Sequence, residues 1–423
     1  MLNFLHAADL HLDSPLRGLN RYEGAPVDAI RGASRRALEN LVDLAIRESV
    51  RFVLIAGDVY DGDWEDVNTG LFFVRQMARL KEKRIAVYLI SGNHDAASEI
   101  ARDLPYPDNV HVFASEEAST IVIDDLRVAI HGQSYAKREE KRNLAAKYPQ
   151  ALAGHFNIGM LHSGLEGREG HERYAPCTLE ELLNRGYDYW ALGHVHQRES
   201  VNEDRWPRVE FPGNIQGRHV RELDAKGCLI VRVGDDRVAR PEFHPLDVFR
   251  WTKLKVDCTP LEDRDAILQR VAEEFDSAVQ QSENRPLAVR VELSGVTALH
   301  DDLLADSAGL TSAVHGRAFE HGERLWLEKI GIYTSRPLLD QPDDTLGEDA
   351  LSEMEAVITD WRADRTKLAS VLAEGDVAAL ASKLPAELQR GENALPLASG
   401  DAAWLDRVQA ILFHAATQKE VRS

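Results

Sequence analysis

Along the first 245 positions, apolar residues come in short unbroken runs, and most runs are followed at once by polar residues. Leu2–Ala7, Phe52–Ala56, Ile85–Ile90, Val128–Ile130, Ile158–Leu161, Tyr189–Leu192 and Leu229–Val233 read as buried strands. Between them the spacing turns helical. After Ser34, a candidate N-cap, Leu38, Leu41, Val42, Ala45 and Ile46 share one face, a second helix spans about Val67–Lys83, and Leu179–Arg185 is a short third. This alternation predicts a layered α/β domain, a sandwich of two packed sheets rather than one simple Rossmann sheet.

Near Pro241–Pro245 the pattern changes. Thr252–Asp257 and Leu287–Glu292 alternate like strands, and between them Asp263–Ser277 places Ile267, Val271 and Phe275 on one helical face. His300–His315 reads as another helix and Leu325–Ile332 as a strand, which predicts a small α+β domain. Past Pro337 the chain is rich in Ala, Leu, Glu and Asp, with a linker near Asp340–Asp344 and helices near Ala350–Glu374 and Ala402–Lys419. The division expected is 1–245, 246–336 as a small α+β capping domain, and 337–423 as a helical C-terminal region.

Composition narrows the function. The 423 residues suit two or three domains, and 44% hydrophobic content is ordinary for a globular chain. A net charge of −20 with pI ≈ 5.3 argues against a generally basic coat for nucleic acid, though it leaves room for a local basic groove. No apolar run approaches the roughly 20 residues of a membrane span, so no membrane association is expected. Cys177, Cys228 and Cys258 are few and scattered, which points to a reducing, cytoplasmic setting rather than a disulfide framework. A cleaved leader would remove Asp9 and His11, so none is expected.

Those two residues belong to a larger set. Asp9-Leu10-His11, Gly57-Asp58, Gly92-Asn93-His94-Asp95, Leu161-His162 and Gly193-His194-Val195-His196 mostly follow directly on an apolar run, at the edge where open α/β sheets hold ligands. Oxygen and nitrogen donors without thiolates suit two divalent ions, with manganese, iron and zinc all admissible. Asp58 has two oxygens and is the candidate bridge. Asp9, His11 and His196 would complete one metal, and Asn93, His162 and His194 the other. Such a pair, about 3.5–4 Å apart, can bind a bridging hydroxide and clamp a phosphate for in-line attack. His94 is left to act on the leaving group, with Asp95 to orient it. Taken singly, Asp9-x-His11 or Gly57-Asp58 is as ordinary as a surface pair or a strand-to-turn signal; their order together carries the reading.

The set resembles the calcineurin-like metallophosphoesterases. Within them, His6-Ala7-Ala8-Asp9-Leu10-His11-Leu12-Asp13-Ser14-Pro15, Tyr174-Ala175-Pro176-Cys177 and Phe211-Pro212-Gly213-Asn214-Ile215-Gln216 resemble the SbcD-type DNA repair exonucleases, especially their YhaO branch. The likeness covers about residues 1–245. It implies manganese, cleavage of DNA phosphodiesters, a partner ATPase of the SbcC (SMC-like) kind, and homodimers formed through helices near the second and third motifs. It also implies Asp9, His11, Asp58, Asn93, His162, His194 and His196 as ligands and His94 as the catalytic histidine. Val59-Tyr60-Asp61-Gly62 and Asp95 stand where phosphoprotein phosphatases carry Asp-Arg-Gly and Glu, which argues against that branch.

Other features carry two readings each. Lys137, Arg138, Lys141, Arg142 and Lys147 could track a DNA backbone or form a solvated helix face. His131 and His219 could lie near the metals or serve packing, Asp13 could support the site, and His155 and His171 flank a loop that could border a cleft. Three functions stay open: a DNA nuclease, a phosphatase or phosphodiesterase for small molecules, and a metal-holding scaffold subunit of an ATPase complex.

Overall fold

The computed structural model describes residues 2–14, 32–61, 67–97, 104–165, 174–203, 206–337, 350–364, 367 and 409. His171, Pro15, Gly62, the Asp340–Asp344 linker and the Ala402–Lys419 helix lie outside the described residues, apart from the single position 409. The chain divides into two compact units, Met1–Thr252 with Ser282–Ala288, and Lys253–Gln281 with the chain from Val289 on.

The first unit contains β1 (Leu2–Ala7), α1 (Ala33–Arg47), β2 (Phe52–Ala56), α2 (Val67–Glu82), β3 (Ala86–Ile90), β4 (Val110–Val112), β5 (Ser119–Ile123), β6 (Val128–Gly132), β7 (Phe156–His162), α3 (Leu179–Leu183), β8 (Tyr189–Gly193), β9 (Glu199–Ser200), β10 (Arg208–Phe211), β11 (Gly227–Val233) and β12 (Ala239–Pro245). Two six-stranded sheets result, ordered β12-β11-β1-β2-β3-β4 and β5-β6-β7-β8-β10-β9. Strands β1 to β4 run parallel, and so do β6, β7, β8 and β10. Every residue of β2, β7 and β8 is buried, which explains why these strands read as apolar runs rather than alternating ones.

Successive side chains on β2 serve different layers. Phe52, Leu54 and Ala56 pack between the sheets with Phe4, Ile130, Ile158, Met160 and Tyr189. Val53 and Ile55 face the opposite way and pack with Leu38, Leu41 and Val42 of α1 and Phe73 and Met77 of α2. On the far side of the second sheet, Trp190, Leu192, Val209 and Phe211 bury Leu182 of α3. A capping box starts α3: Thr178 Oγ1 accepts from the Glu181 N–H at 3.2 Å, and Glu181 Oε2 accepts from the Thr178 N–H at 2.8 Å. Polar contacts also bridge the sheets. His6, fully buried on β1, meets the Tyr189 hydroxyl at 2.9 Å and the Leu192 carbonyl at 3.1 Å, both on β8.

A three-stranded sheet, β13 (Arg250–Asp257), β14 (Leu287–Val296) and β15 (Leu325–Ser335), ordered β13-β14-β15, falls mostly in the second unit. Among the described residues its helices are α4 (Arg264–Gln281), α5 (His300–Ala305), α6 (Ser307–Phe319) and α7 (Ala350–Ala363). Ile267, Val271 and Phe275 are the buried face of α4, as their spacing predicts.

Three local expectations change. Ser34 does not cap α1: the N-cap is Gly32, and the Ser34 hydroxyl accepts from the Asp13 N–H at 3.1 Å. His300–His315 is two helices, because the Asp306 side chain accepts from the Gly309 N–H at 3.0 Å and starts a new one. Lys137–Lys147 is not a helix; only Ala145–Lys147 forms a 3-10 turn.

Candidate metal centre

The parallel strands β1, β2 and β3 of one sheet and β7 and β8 of the other end at the same place. Beyond their last paired residues, β1 and β2 stay zipped: the Asp9 N–H donates to the Gly57 carbonyl at 3.0 Å, His11 to Asp58 at 3.0 Å and Leu12 to Val59 at 2.9 Å. The chain there turns through left-handed backbone at Asp9 (φ 52), His11 (φ 41), Asp58 (φ 52) and His194 (φ 98). Such conformations cost on the order of 1–3 kcal/mol each and persist where surrounding contacts over-determine them. Those contacts are present. The His194 N–H donates to both Asp9 carboxylate oxygens (3.1 and 3.0 Å), joining the sheets, and the His94 N–H donates to Asp58 Oδ1 at 2.9 Å. Close approach also needs glycine. A Cβ on Gly92 would strike the Asp58 carboxylate, and one on Gly193 would strike the Ala56 carbonyl oxygen.

The donors that converge form three overlapping groups, and Asp58 belongs to two of them, one with His11 and His94 and one with His162 and His194. Around site 1, donor atoms of Asp9, His11 and His196 lie within 4.8 Å of one another; around site 2, those of Asp58, His162 and His194 do the same. Asn93 belongs to site 2, with its Oδ1 3.0 Å from His162 Nε2 and 3.2 Å from His194 Nδ1. His162 Nε2 is 3.4 Å from Asp58 Oδ2, and His11 Nε2 is 3.9 Å from it. Donors bound at about 2.1 Å to one ion stand roughly 3.0–3.4 Å apart, so the closest of these spacings suit a shared cation.

The other ring nitrogens point the same way. His11 Nδ1 faces Asp61 Oδ1 at 2.8 Å, His196 Nδ1 faces Glu222 Oε1 at 2.7 Å, and His162 Nδ1 faces the Ala56 carbonyl at 2.9 Å. An acceptor at Nδ1 fixes the proton there and leaves Nε2 as a lone pair, the arrangement of metal-ligating histidines. Two such lone pairs, on His11 and His196, then face each other at 3.1 Å. They repel unless a proton or cation lies between them.

Charge around the site is strongly coupled. Burial opposes the Asp58 charge, but His162 and His11 outweigh it and hold the carboxyl far below its usual range. Burial likewise opposes the His162 charge, and Asp58 overcomes it, raising the imidazole to about 9. Asp61 and Glu222 are both held well below the ordinary carboxylate range against burial, Asp61 by hydrogen bonds to His11 and His94, Glu222 by Arg218 and His196.

His94 shares a donor group with His11 and Asp58. Its side chain keeps 29% exposure, and its Nδ1 is 3.1 Å from Asp61 Oδ1. Burial works against its charge, but Asp61 and Asp58 prevail and raise its pKa above the ordinary histidine value. Asp95, expected to orient His94, has its carboxylate on the main chain. Its carboxylate accepts from the Tyr60 N–H and the Gly92 N–H, both at 3.0 Å, and so clamps the loops after β2 and β3. Burial first, then the Asp58 charge, raises Asp95 to about 6.

Sequence reasoning missed two residues here, Glu222 and Arg218, and had Asp61 only as part of the flanking stretch Val59-Tyr60-Asp61-Gly62. The stretch Phe211-Pro212-Gly213-Asn214 was their nearest signal, since Asn214 Nδ2 donates to Glu222 Oε2 at 3.0 Å. Other candidates fall away. His131 lies between Thr120 Oγ1 and Asn157 Oδ1 and stacks on Tyr187, a packing role. The Asp13 carboxylate is taken up by Arg35 and Thr69, and His155 bonds the Ala153 carbonyl at the surface. His219 lies at the rim, 53% exposed and 3.7 Å from Glu222 Oε1.

Known proteins share this construction. Residues 2–198 match the family model described as calcineurin-like phosphoesterase, and residues 251–335 match the middle domain of metallophosphoesterase YhaO. The chain is 37% identical over 297 residues to the uncharacterized metallophosphoesterase YhaO of Bacillus subtilis (strain 168), covering 70% of this chain and 72% of that protein. It is 25% identical over 232 residues to the DNA double-strand break repair protein Mre11 of Methanopyrus kandleri, covering 50% of this chain and 48% of that one. With Mre11 of Sulfolobus acidocaldarius the identity is 20% over 336 residues, covering 72% and 78%. The chain belongs to the calcineurin-like metallophosphoesterases, in the YhaO family.

Proposed function

We propose that this chain is a two-metal phosphodiesterase that cleaves DNA. The observation that carries the reaction class is the cluster of donors at the strand ends, with one partly exposed imidazole, His94, at its edge beside Asp61. Asp9, His11 and His196 would hold one ion, Asn93, His162 and His194 the other, with Asp58 shared; the mixed oxygen and nitrogen set suits manganese, and equally iron or zinc. When bound, the ions would polarise a phosphoryl group and make water nucleophilic at neutral pH. The chain's own contribution is orientation and proton supply. Asp61 favours the charged form of His94, which gives the imidazole a proton to pass to the departing oxygen.

DNA as substrate rests on two supports. The Mre11 relatives are named for DNA double-strand break repair. On this chain, the loop after β6 is tied to the site by the Tyr135 hydroxyl, which donates to the His162 carbonyl at 2.6 Å, and two residues on it exposes Lys137 and Arg138. By the same likeness we propose a homodimer and an SMC-type ATPase partner, with residues 1–245 as the nuclease domain, 246–336 as a small α+β domain and 337–423 available for docking. No described helix is long and apolar enough to cross a membrane.

The test is a nuclease assay with manganese on a DNA end. His94→Ala is expected to lose about 10²–10⁴ in rate while keeping both metals. A metal-loaded protein inert on DNA yet active on a nucleotide would sink the DNA assignment and leave the small-phosphoester reading, which the net charge of −20 favours.

A further inference from the structure

The two proposed sites are supported by different materials. At site 2, His162 leans on the main chain, the Ala56 carbonyl at the end of β2. At site 1, both imidazoles lean on carboxylates: His196 on Glu222 at 2.7 Å and His11 on Asp61 at 2.8 Å. These carboxylates come from distant loops, and one side chain spans them. Arg218 Nη2 donates to Glu222 Oε1 at 2.8 Å, and its Nη1 lies 3.6 Å from Asp61 Oδ1. Its own backbone N–H donates to Glu222 Oε2 at 2.7 Å. Its Nε also donates to both Glu222 carboxylate oxygens at 3.3 Å, and its Nη2 and Nη1 meet His196 Nδ1 at 3.2 Å and Ser14 Oγ at 3.4 Å. The side chain is 18% exposed.

We propose that Arg218 is a positioning residue for site 1 and for His94, and not for site 2. The planar guanidinium presents donors in a fixed fork, so it sets the separation of Asp61 and Glu222 as well as their charge balance. Through them it aims His11 and His196. Because Asp61 Oδ1 also meets His94 Nδ1 at 3.1 Å, the same brace sets the histidine that acts on the substrate. The inference rests on the two-metal reading above.

Charge and position make opposite predictions, which makes the idea testable. Removing a cation beside a cation site would, by Coulomb's law alone, tighten metal binding. Removing a brace would loosen it. Disturbing a group that orients a ligating histidine typically costs 10–100-fold in metal affinity. Arg218→Met, close in length and uncharged, is therefore expected to weaken one of two manganese equivalents by about that factor in a calorimetric titration and to leave the other unchanged. The electron paramagnetic resonance spectrum at one to two equivalents should change from a coupled pair to an isolated ion. Glu222→Gln, which keeps size and one acceptor oxygen, should act in the same direction and serves if Arg218→Met fails to fold. Tighter binding at site 1, unchanged binding at both sites, or equal loss at both sites each overturns the proposal. If the unsubstituted protein binds no metal, the two-metal reading itself has failed, and Arg218 with it.

Discussion

His6 joins the two sheets, and its titration gives that join a measurable size. The ring is fully buried, with the Tyr189 hydroxyl at 2.9 Å on Nδ1 and the Leu192 carbonyl at 3.1 Å on Nε2. A neutral imidazole satisfies both, donating to the carbonyl and accepting from the hydroxyl. Burial opposes a second proton and outweighs the help of the Leu192 carbonyl, so the pKa falls from 6.5 to about 3. The native state then stays neutral where the unfolded chain takes up a proton. Stability is complete above pH 6.5 and is lost as pH falls toward 3, at up to 1.4 kcal/mol per pH unit, or on the order of 3 kcal/mol between pH 7 and pH 4. Other buried groups lose stability in acid too, so the comparison must isolate this one. His6→Gln can donate to Leu192 and accept from Tyr189 without titrating. Urea melts of both proteins in a chelator, from pH 4 to pH 7, should show the variant losing about 3 kcal/mol less across that range. Parallel curves would refute the argument, and with it the claim that a neutral His6 holds the β8 end that carries His194.

Three further outcomes rest on local features of the surface and the strand ends. Gly193→Ala puts a methyl against the Ala56 carbonyl and within 3.0 Å of His162 Nδ1, and overpacking of this kind costs about 1–3 kcal/mol; a lower melting temperature with weaker metal binding is expected, and an unchanged melt would contradict the packing described. Lys137→Glu with Arg138→Glu should reduce DNA affinity and flatten its salt dependence, the slope falling by about 1 for each phosphate no longer neutralised in a fluorescence anisotropy titration; an unchanged slope would show that this loop does not meet the DNA backbone. Val67 and Leu71 of α2 are 51% and 44% exposed, so Val67→Asp with Leu71→Asp should shift a homodimer to monomer in sedimentation, and a dimer that persists would place the interface elsewhere.

The parts of the fold legible in the sequence are those that burial makes uniform. Strands covered on both faces, such as β2 and β8, must be apolar at every position, and the polar residue that follows marks their end. Edge strands lack that constraint. Along β4 only Val110 is even partly buried, and β5 alternates between half-buried and exposed, so neither stands out from a loop. The centre divides in the same way. Its donors sit at fixed offsets from strand ends, whereas Asp61, Glu222 and Arg218 reach it from loops with no periodic signature. Adjacency also misled. Asp95 follows His94 directly, yet its carboxylate turns to the backbone of Tyr60 and Gly92, and the carboxylate beside His94 arrives from 33 positions upstream.

The bond between the Asp9 carboxylate and the His194 amide spans 185 positions of chain. Seen from the ribosome, this separation is a delay. Synthesis at about 5–20 residues per second leaves Asp9 and His11 waiting roughly ten seconds or more for the histidines that follow β8. Until then the nascent chain offers a metal only scattered donors, and no early fragment can hold two ions together. On the proposed two-metal reading, metal capture would report that both sheets have formed and docked. Once made, it adds stability in proportion to the logarithm of the free ion, about 2.7 kcal/mol at a hundredfold excess over Kd.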